Sequence, residues 1–570
     1  MRASISVCAM SLALLQLAEA LGGARSRKFS LMADMGLLPD GTPMHLPSDI
    51  KAAMQIASSR PPPATNGTPE KIEPEYVELP LDNFAKNKDY SYQGTFNNRF
   101  WVAESAYKPG GPVFIYDVGE ADAEPNALFR LQNTTSFFKQ IVDKYNGIGI
   151  VWEHRYYGNS TPEPIDLNTP PEVFQWLTTE QSLADVDRFA KQFKRKNIKY
   201  NLTPDKTPWI FVGGSYPAMR AAFMRDKYPD TIFASYASSA PVQAQNDMSV
   251  YFEPVWRGMT EYGWGNCTKD IKAAIQYMDK VMENPTAAAN LKERFLGLGA
   301  GNNSNPTFAD ALTTPFYLWQ SYGVEGGALG LRSFCDFLST DPLSNKTSGA
   351  DGWAAIKGAN YTVNRWAAYP RFTTMVNGYL TTNCSGTLQK KGDCNLDLRF
   401  DDPAMISWTW QYCTQWGFLQ SANVGAHQLV SKYNSLEHQK DICHRQFPTA
   451  KPPLLPTWPS VDRTNDVFGG WDIRPSQVYW SGGEFDPWRT LSPLSAESFA
   501  PHPKTFQNPP KCGEEQDEDE IFGYVMKGAQ HCYDFRTTFA GGSVSRKYFT
   551  DALDRWLPCF KSKKGGNGHN

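Results

Sequence analysis

The chain has 570 residues, 41% hydrophobic and 13% aromatic, more than one compact core holds, so two domains or one domain with a large insertion are expected. A formal net charge of −3 and a pI near 6.3 leave no basic excess for binding nucleic acid. Beyond the amino terminus no stretch approaches the length of uninterrupted apolar sequence that crosses a bilayer, so no membrane partner is expected.

In chain order, Arg2, the apolar run Ile5 to Ala18 and the small-x-small site Ala18-Glu19-Ala20 read as a signal peptide over residues 1–20. That predicts a secreted, extracellular protein, with a vacuolar or lysosome-like compartment as the other destination. Residues 21–75, with Pro61-Pro62-Pro63 and little periodicity, read as a propeptide-like or flexible arm. Two further features agree with export. Sequons begin at Asn66, Asn133, Asn159, Asn201, Asn266, Asn302, Asn345, Asn360 and Asn383. Cys8 leaves with the signal; the other nine of the ten cysteines are expected to pair in an oxidising compartment, with one left over. Cys384 and Cys394 are close enough to close a small loop, and no cysteine spacing resembles a zinc site, so neither metal nor cofactor is expected.

From residue 76 to 244 strands and helices alternate. Val113 to Val118, Gly147 to Trp152, Trp209 to Val212 and Ile232 to Ala237 read as buried strands; Ser182 to Phe193 and Met219 to Tyr228 read as helices. Such alternation predicts an α/β fold, a mainly parallel sheet with helices on both faces. Residues 245–465, rich in Trp, Asn and Gly and containing helical segments such as Ile271 to Met282, read as an inserted helical cap. The strand signal returns within 466–560, at Gln477 to Trp480 and Ile521 to Met526, and 561–570 reads as a frayed tail.

The chemistry centres on Gly213-Gly214-Ser215-Tyr216-Pro217. A serine hydroxyl is a poor nucleophile unless it is held exposed beside a base, and a sharp strand-to-helix turn does the first part. Pro217 stands where such turns usually carry glycine; proline is accepted in the first turn of a helix and leaves the Tyr216 N–H free as an oxyanion donor. Asp486 then follows one late strand and His531 another, in the order Ser, Asp, His of α/β-hydrolases. Glu484 is the rival acid. Asp486 is preferred because Pro487 and Trp488 fix its turn and exclude water. Gly119 and Glu120, just past an early strand, are the candidates for the second oxyanion donor.

The motifs have a wider resemblance. Leu79-Pro80-Leu81-Asp82-Asn83-Phe84, Asn97-Asn98-Arg99-Phe100, Glu153-His154-Arg155-Tyr156-Tyr157-Gly158, the Ser215 turn, Tyr236 to Pro241, Trp408-Thr409-Trp410-Gln411-Tyr412-Cys413, Gly483 to Trp488 and His531-Cys532-Tyr533-Asp534 together resemble the prolyl carboxypeptidase and dipeptidyl peptidase II family of serine peptidases. The resemblance implies an α/β-hydrolase core, a helical cap between nucleophile and acid, and cleavage after proline, often at acidic pH. Proline-containing peptides or proteins are then the expected substrates, and Trp408, Trp410 and Trp488 candidate walls of a slot for the pyrrolidine ring. Residues of the Glu153 motif read as structural, with Arg155 holding carboxylates such as Glu153; His154 as base would break the triad order. Two rival functions stand beside the peptidase: an esterase or lipase on the same fold, and a hydrolase fold without activity. Carboxypeptidase, dipeptidyl peptidase and endopeptidase modes stay open; Glu120 or Asp122 would suit a substrate amine.

Overall fold

The structure is a computed structural model and describes residues 23–39, 44, 71–85 and 94–565. The proposed signal peptide and Asn66 therefore lie outside the described residues.

A nine-stranded sheet forms the centre. Its strands are β1 (Glu75–Pro80), β2 (Thr95–Ala103), β3 (Val113–Asp117), β4 (Ile148–Trp152), β5 (Trp209–Gly214), β6 (Ala234–Ser238), β9 (Val478–Gly483), β10 (Lys504–Phe506) and β11 (Glu520–Met526). A separate parallel pair, β7 (Gln245–Asp247) and β8 (Gly417–Leu419), belongs to the segment between β6 and β9. The sheet order is β1-β2-β4-β3-β5-β6-β9-β11-β10. Pairings β1·β2 and β2·β4 are antiparallel, and every pairing from β4 to β10 is parallel.

The near-continuous apolar runs in the sequence are explained by burial on both faces. Along β3, Val113 and Ile115 enter one hydrophobic cluster and Phe114 and Tyr116 the other; along β5, Trp209 and Phe211 oppose Ile210 and Val212 in the same way. Helix α4 (Thr179–Gln192) covers the first face with Leu183, Val186 and Phe189, and starts where the Thr178 side chain accepts the Gln181 N–H. Helices α2 (Glu124–Gln132) and α3 (Phe137–Lys144) and the last helix, Gly542–Gly565, cover the second with Leu131, Phe138, Phe549 and Trp556. That last helix continues through 561–565, where a frayed tail was expected. Deleting one of the large buried side chains, such as Trp209, costs about 3–5 kcal/mol.

Between β6 and β9 the chain leaves the sheet and runs through a succession of helices, among them Phe252–Met259, Gly265–Val281, Asn305–Thr313, Pro403–Gln411 and Leu436–Gln446. Disulfides Cys267–Cys335, Cys384–Cys394 and Cys413–Cys443 brace this segment, and Cys512–Cys559 ties the approach to β11 to the last helix. The leftover thiol is Cys532, and it is buried. Of the described sequon asparagines, Asn133, Asn159, Asn201, Asn302, Asn345, Asn360 and Asn383 are exposed. Asn266 is half-buried and donates its amide to the Ser348 hydroxyl, so it is the poorest acceptor for a glycan.

A second element departs from the sequence reading. Residues 23–34, expected within a leader of little periodicity, form helix α1 (Gly23–Asp34), whose Leu31, Met32, Ala33 and Asp34 are buried against the rest of the protein. Its short apolar face is completed by tertiary contacts, which a one-dimensional pattern does not show.

Candidate active site

Ser215 sits at the junction of β5 and helix α5 (Tyr216–Lys227) with φ 69° and ψ −130°, a backbone region that non-glycine residues rarely occupy. The turn is tight enough that a Cβ on Gly213 would lie 2.2 Å from the Pro217 carbonyl oxygen, so a side chain there would collide with backbone. The Ser215 carbonyl accepts from Ala218 and Met219 N–H, and Pro217 has no N–H to satisfy. The Tyr216 N–H thus remains at the start of α5 without an intrahelical acceptor, where the helix favours negative charge.

Asp486 lies in the turn after β9 and is fully buried. One of its oxygens accepts the Trp488 N–H at 2.9 Å, and the carboxylate faces His531 Nδ1 at 2.9 and 3.0 Å. This holds the proton on Nδ1 in the neutral imidazole and leaves Nε2 as the basic nitrogen. His531 Nε2 is buried, has no hydrogen-bond partner among the described residues, and belongs to a side chain that lines the same cavity as Ser215. Burial presses the imidazole pKa down, but the Asp486 carboxylate, with a further push from Cys532, more than reverses this, and the net shift is upward from 6.5.

The two late turns are bonded to each other. Glu484 N–H donates to Met526, Phe485 N–H donates to Ala529, and the Glu484 carboxylate accepts the Gly528 N–H at 2.8 Å. Glu484, the rival acid, is therefore spent on joining the turns. Behind His531, the buried Asp534 carboxylate accepts hydroxyls from Tyr236 (2.5 Å) and Ser238 (2.6 Å) on β6 and from Ser481 on β9. From the cap, Gln320 accepts the His531 N–H on its carbonyl (3.2 Å) and takes Trp488 Nε1 and the Tyr251 hydroxyl on its side chain, each at 3.0 Å. Trp319 donates its indole N–H to the Phe485 carbonyl at 2.9 Å. Sequence reasoning missed Gln320, Trp319 and Asp534 as supports; only Asp534 stood in a quoted motif.

One contact expected from the sequence resolves differently. Arg155 forks onto Asp185 at 2.6 and 2.7 Å, not onto Glu153; Glu153 holds Arg99 instead. His154 is buried, and its Nε2 faces the Tyr216 hydroxyl at 3.1 Å; burial, reinforced by Arg220, holds its pKa well below the usual imidazole value. It is a neutral support, not a base. Gln411 of the Trp408 to Cys413 motif bridges two others by donating to the Tyr216 hydroxyl (2.8 Å) and accepting from Tyr157 (2.5 Å). The motifs that looked separate in sequence meet beneath the nucleophile.

The cavity over Ser215 is lined by Trp408, Trp488, Met219, Tyr216, Tyr251 and Glu120, among others. Trp410 is not part of it: its ring stacks on Phe174 and packs edge-on to Phe447, because the helical turn that points Trp408 to the site points Trp410 away. The Gly119 N–H is committed to Asp117 Oδ1 at 3.2 Å, so this candidate oxyanion donor is already engaged. Asp122 is paired with Arg99 at 2.5 Å and does not line the cavity, whereas Glu120 does. Among the described residues no cluster of His, Cys, Asp and Glu is arranged to hold a metal ion.

A mainly parallel sheet in this order, with a serine on a strained strand-to-helix turn and an Asp–His pair on the turns after two later strands, defines an α/β-hydrolase. Within that class the chain belongs to the family described as serine carboxypeptidase S28, whose model matches residues 79–506, and it is therefore a serine-type peptidase by family. It is 31% identical over 435 residues to a probable extracellular serine carboxypeptidase of Arthroderma benhamiae, covering 72% of this chain but 58% of that protein. It is 26% identical over 504 residues to the mouse thymus-specific serine protease, covering 86% and 88% of the two chains. With the bovine lysosomal Pro-X carboxypeptidase it shares 24% over 429 residues, 72% of this chain and 77% of that one.

Proposed function

We propose that this chain is a secreted serine peptidase that hydrolyses peptide bonds through an acyl-enzyme on Ser215, with preference for the bond after proline. The observation that carries the reading is the convergence on one cavity of strained Ser215, the unpartnered Nε2 of His531 and an aromatic wall that includes Trp408 and Trp488. His531 Nε2 takes the Ser215 proton as the hydroxyl attacks the scissile carbonyl. Asp486 holds the imidazole tautomer and stabilises the imidazolium. The Tyr216 N–H and the backbone at Glu120 face the oxyanion. The imidazolium then protonates the leaving amine, and water, activated by the same nitrogen, releases the acyl group.

Cleavage after proline is supported by the aromatic cavity, which suits a flat apolar ring, and by the relative named for Pro-X carboxypeptidase activity. Secretion is supported by the extracellular relative, the four disulfides and the exposed sequons. No described helix is long and apolar enough to cross a membrane.

An organophosphonate tests the nucleophile. Wild type incorporates one equivalent, and Ser215→Ala incorporates none and loses turnover by a factor on the order of 10⁶. Labelling of another serine in the variant would refute the assignment. A chromogenic Ala-Pro amide is cleaved in preference to a short-chain ester; the reverse preference would favour an esterase. Product analysis on one proline-containing peptide with free and blocked ends then assigns the mode of attack.

A further inference from the structure

Helix α1 lies outside the part of the chain that matches the S28 family, which begins at residue 79. It nevertheless reaches the active site. Phe29 and Ser30 line the same cavity as Ser215 and His531, alongside Tyr317, Tyr379 and Leu380. The Phe29 ring lies 6.3 Å from Tyr379 and 6.4 Å from Tyr322, and Tyr317 lies 5.1 Å from Tyr379, so the helix completes an aromatic enclosure begun by the cap.

The helix is anchored to residues that adjoin those holding His531. The Ser30 and Ser321 hydroxyls are 3.2 Å apart, and the Tyr322 hydroxyl donates to the Leu37 carbonyl at 3.0 Å; both partners follow Gln320, whose carbonyl takes the His531 N–H. Asp34 binds Arg130 at 2.5 Å and Arg536 at 3.4 Å, and all three side chains are at most 6% exposed. Arg536 lies over the Tyr533 ring at 3.9 Å, in the turn that follows His531. Removing one member of such a buried ionic group leaves the others uncompensated. With α1 in place, Ser215, Trp408, Trp488 and His531 still face open cavity, so the helix bounds the catalytic centre without filling it.

We infer that α1 is a working wall of the substrate pocket in the active enzyme. Phe29 is a specificity-determining residue that, with Tyr317, Tyr379 and Leu380, forms a subsite for an apolar side chain of the peptide away from the scissile residue. Asp34 is the positioning residue that holds the helix against the turn bearing His531. This inference rests on the peptidase reading above.

The test uses the full chain, purified in its active secreted form. Its amino-terminal residue, determined by sequencing, is expected to lie before Phe29; an active enzyme that begins after Phe29 overturns the proposal. On peptides that differ only in one remote residue (Gly, Ala, Leu or Phe), Phe29→Ala is expected to raise KM about tenfold for the Leu and Phe peptides and to leave the Gly peptide unchanged. Phe29→Trp, which narrows the subsite, should reverse the preference between Ala and Phe. A uniform loss across all four peptides would mark a merely structural role and overturn the inference. Organophosphonate titration separates the two readings: a wild type that does not label sinks the peptidase reading itself, whereas fully labelled Phe29 variants with unchanged selectivity sink only this one.

Discussion

The turn that carries Ser215 and the turns that carry Asp486 and His531 are stabilised in different ways. The serine itself is set by backbone, with a strained φ, a glycine that admits the Pro217 carbonyl and a helix that begins at once, and side chains of His154 and Gln411 hold only the neighbouring Tyr216 hydroxyl. Acid and base are set by side chains from two sources. Asp534 ties the histidine turn to β6 and β9, while Gln320 and Trp319 reach over from the cap to the histidine, to Trp488 and to the Phe485 carbonyl. A base held between the sheet and the helices that follow β6 depends on both for its position, whereas the serine depends mainly on its own turn.

The sharpest attack on this comparison is Asp486→Asn, which keeps the shape of the turn and removes the charge. Turnover is expected to fall by roughly 10⁴-fold, read as kcat on a proline amide. The same variant tests the electrostatics. A base works when neutral, so kcat/KM rises with pH through the His531 pKa; because Asp486 lifts that pKa, the acid limb of the wild type should lie above the ordinary imidazole range. Without the carboxylate the largest upward push is lost while burial and the smaller push from Cys532 remain, and the acid limb of the residual activity should move to lower pH. An unmoved limb would show that Asp486 does not set it. A raised limb also runs against the acidic working range that the family resemblance implies.

Core and cap supports can then be compared directly. Asp534→Asn disturbs four hydroxyl donors at once, from Tyr236, Ser238, Ser481 and Ser545, and is expected to lower kcat about 100-fold with less change in KM, as a displaced base does. Gln320→Ala keeps the carbonyl that takes the His531 N–H but strands the Trp488 and Tyr251 donors, and should cost about tenfold, divided between kcat and KM. If the cap variant proved the more damaging, the core would not be the principal support of the histidine, and the ranking above would be wrong.

The elements that sequence reading identified are those whose pattern is local. Strands β3 to β6, β9 and β11 are apolar runs bounded by turn residues, and Ser215, Asp486 and His531 stand in short turns after strands, so their roles followed from order along the chain. The unread parts depend on long-range pairing. Strand β1, with alternate residues exposed, is defined by its antiparallel partner β2. Helix α1 is defined by Asp34 meeting Arg130 and Arg536, far away in sequence. Gln320 and Trp319 occupy a four-residue helix, Trp319–Tyr322, whose composition carries no catalytic signal; only its position against His531 gives it a role. Trp410 shows the converse. It stands two residues from Trp408, which lines the cavity, and the helical period sends it to a different hydrophobic cluster.

Cys532 carries one last consequence. Every other described cysteine is oxidised, so this buried residue next to His531 is the sole thiol among the described residues. Its sulfur packs near the Ser238 carbonyl at 3.8 Å, and its own N–H is held by Ser239. An alkylating reagent reaches it only when the histidine turn swings open, so the rate of alkylation in native buffer is a clock for that opening. Slow inactivation by a maleimide would then report breathing of the catalytic loop, and would give this serine enzyme the inhibitor profile of a thiol enzyme.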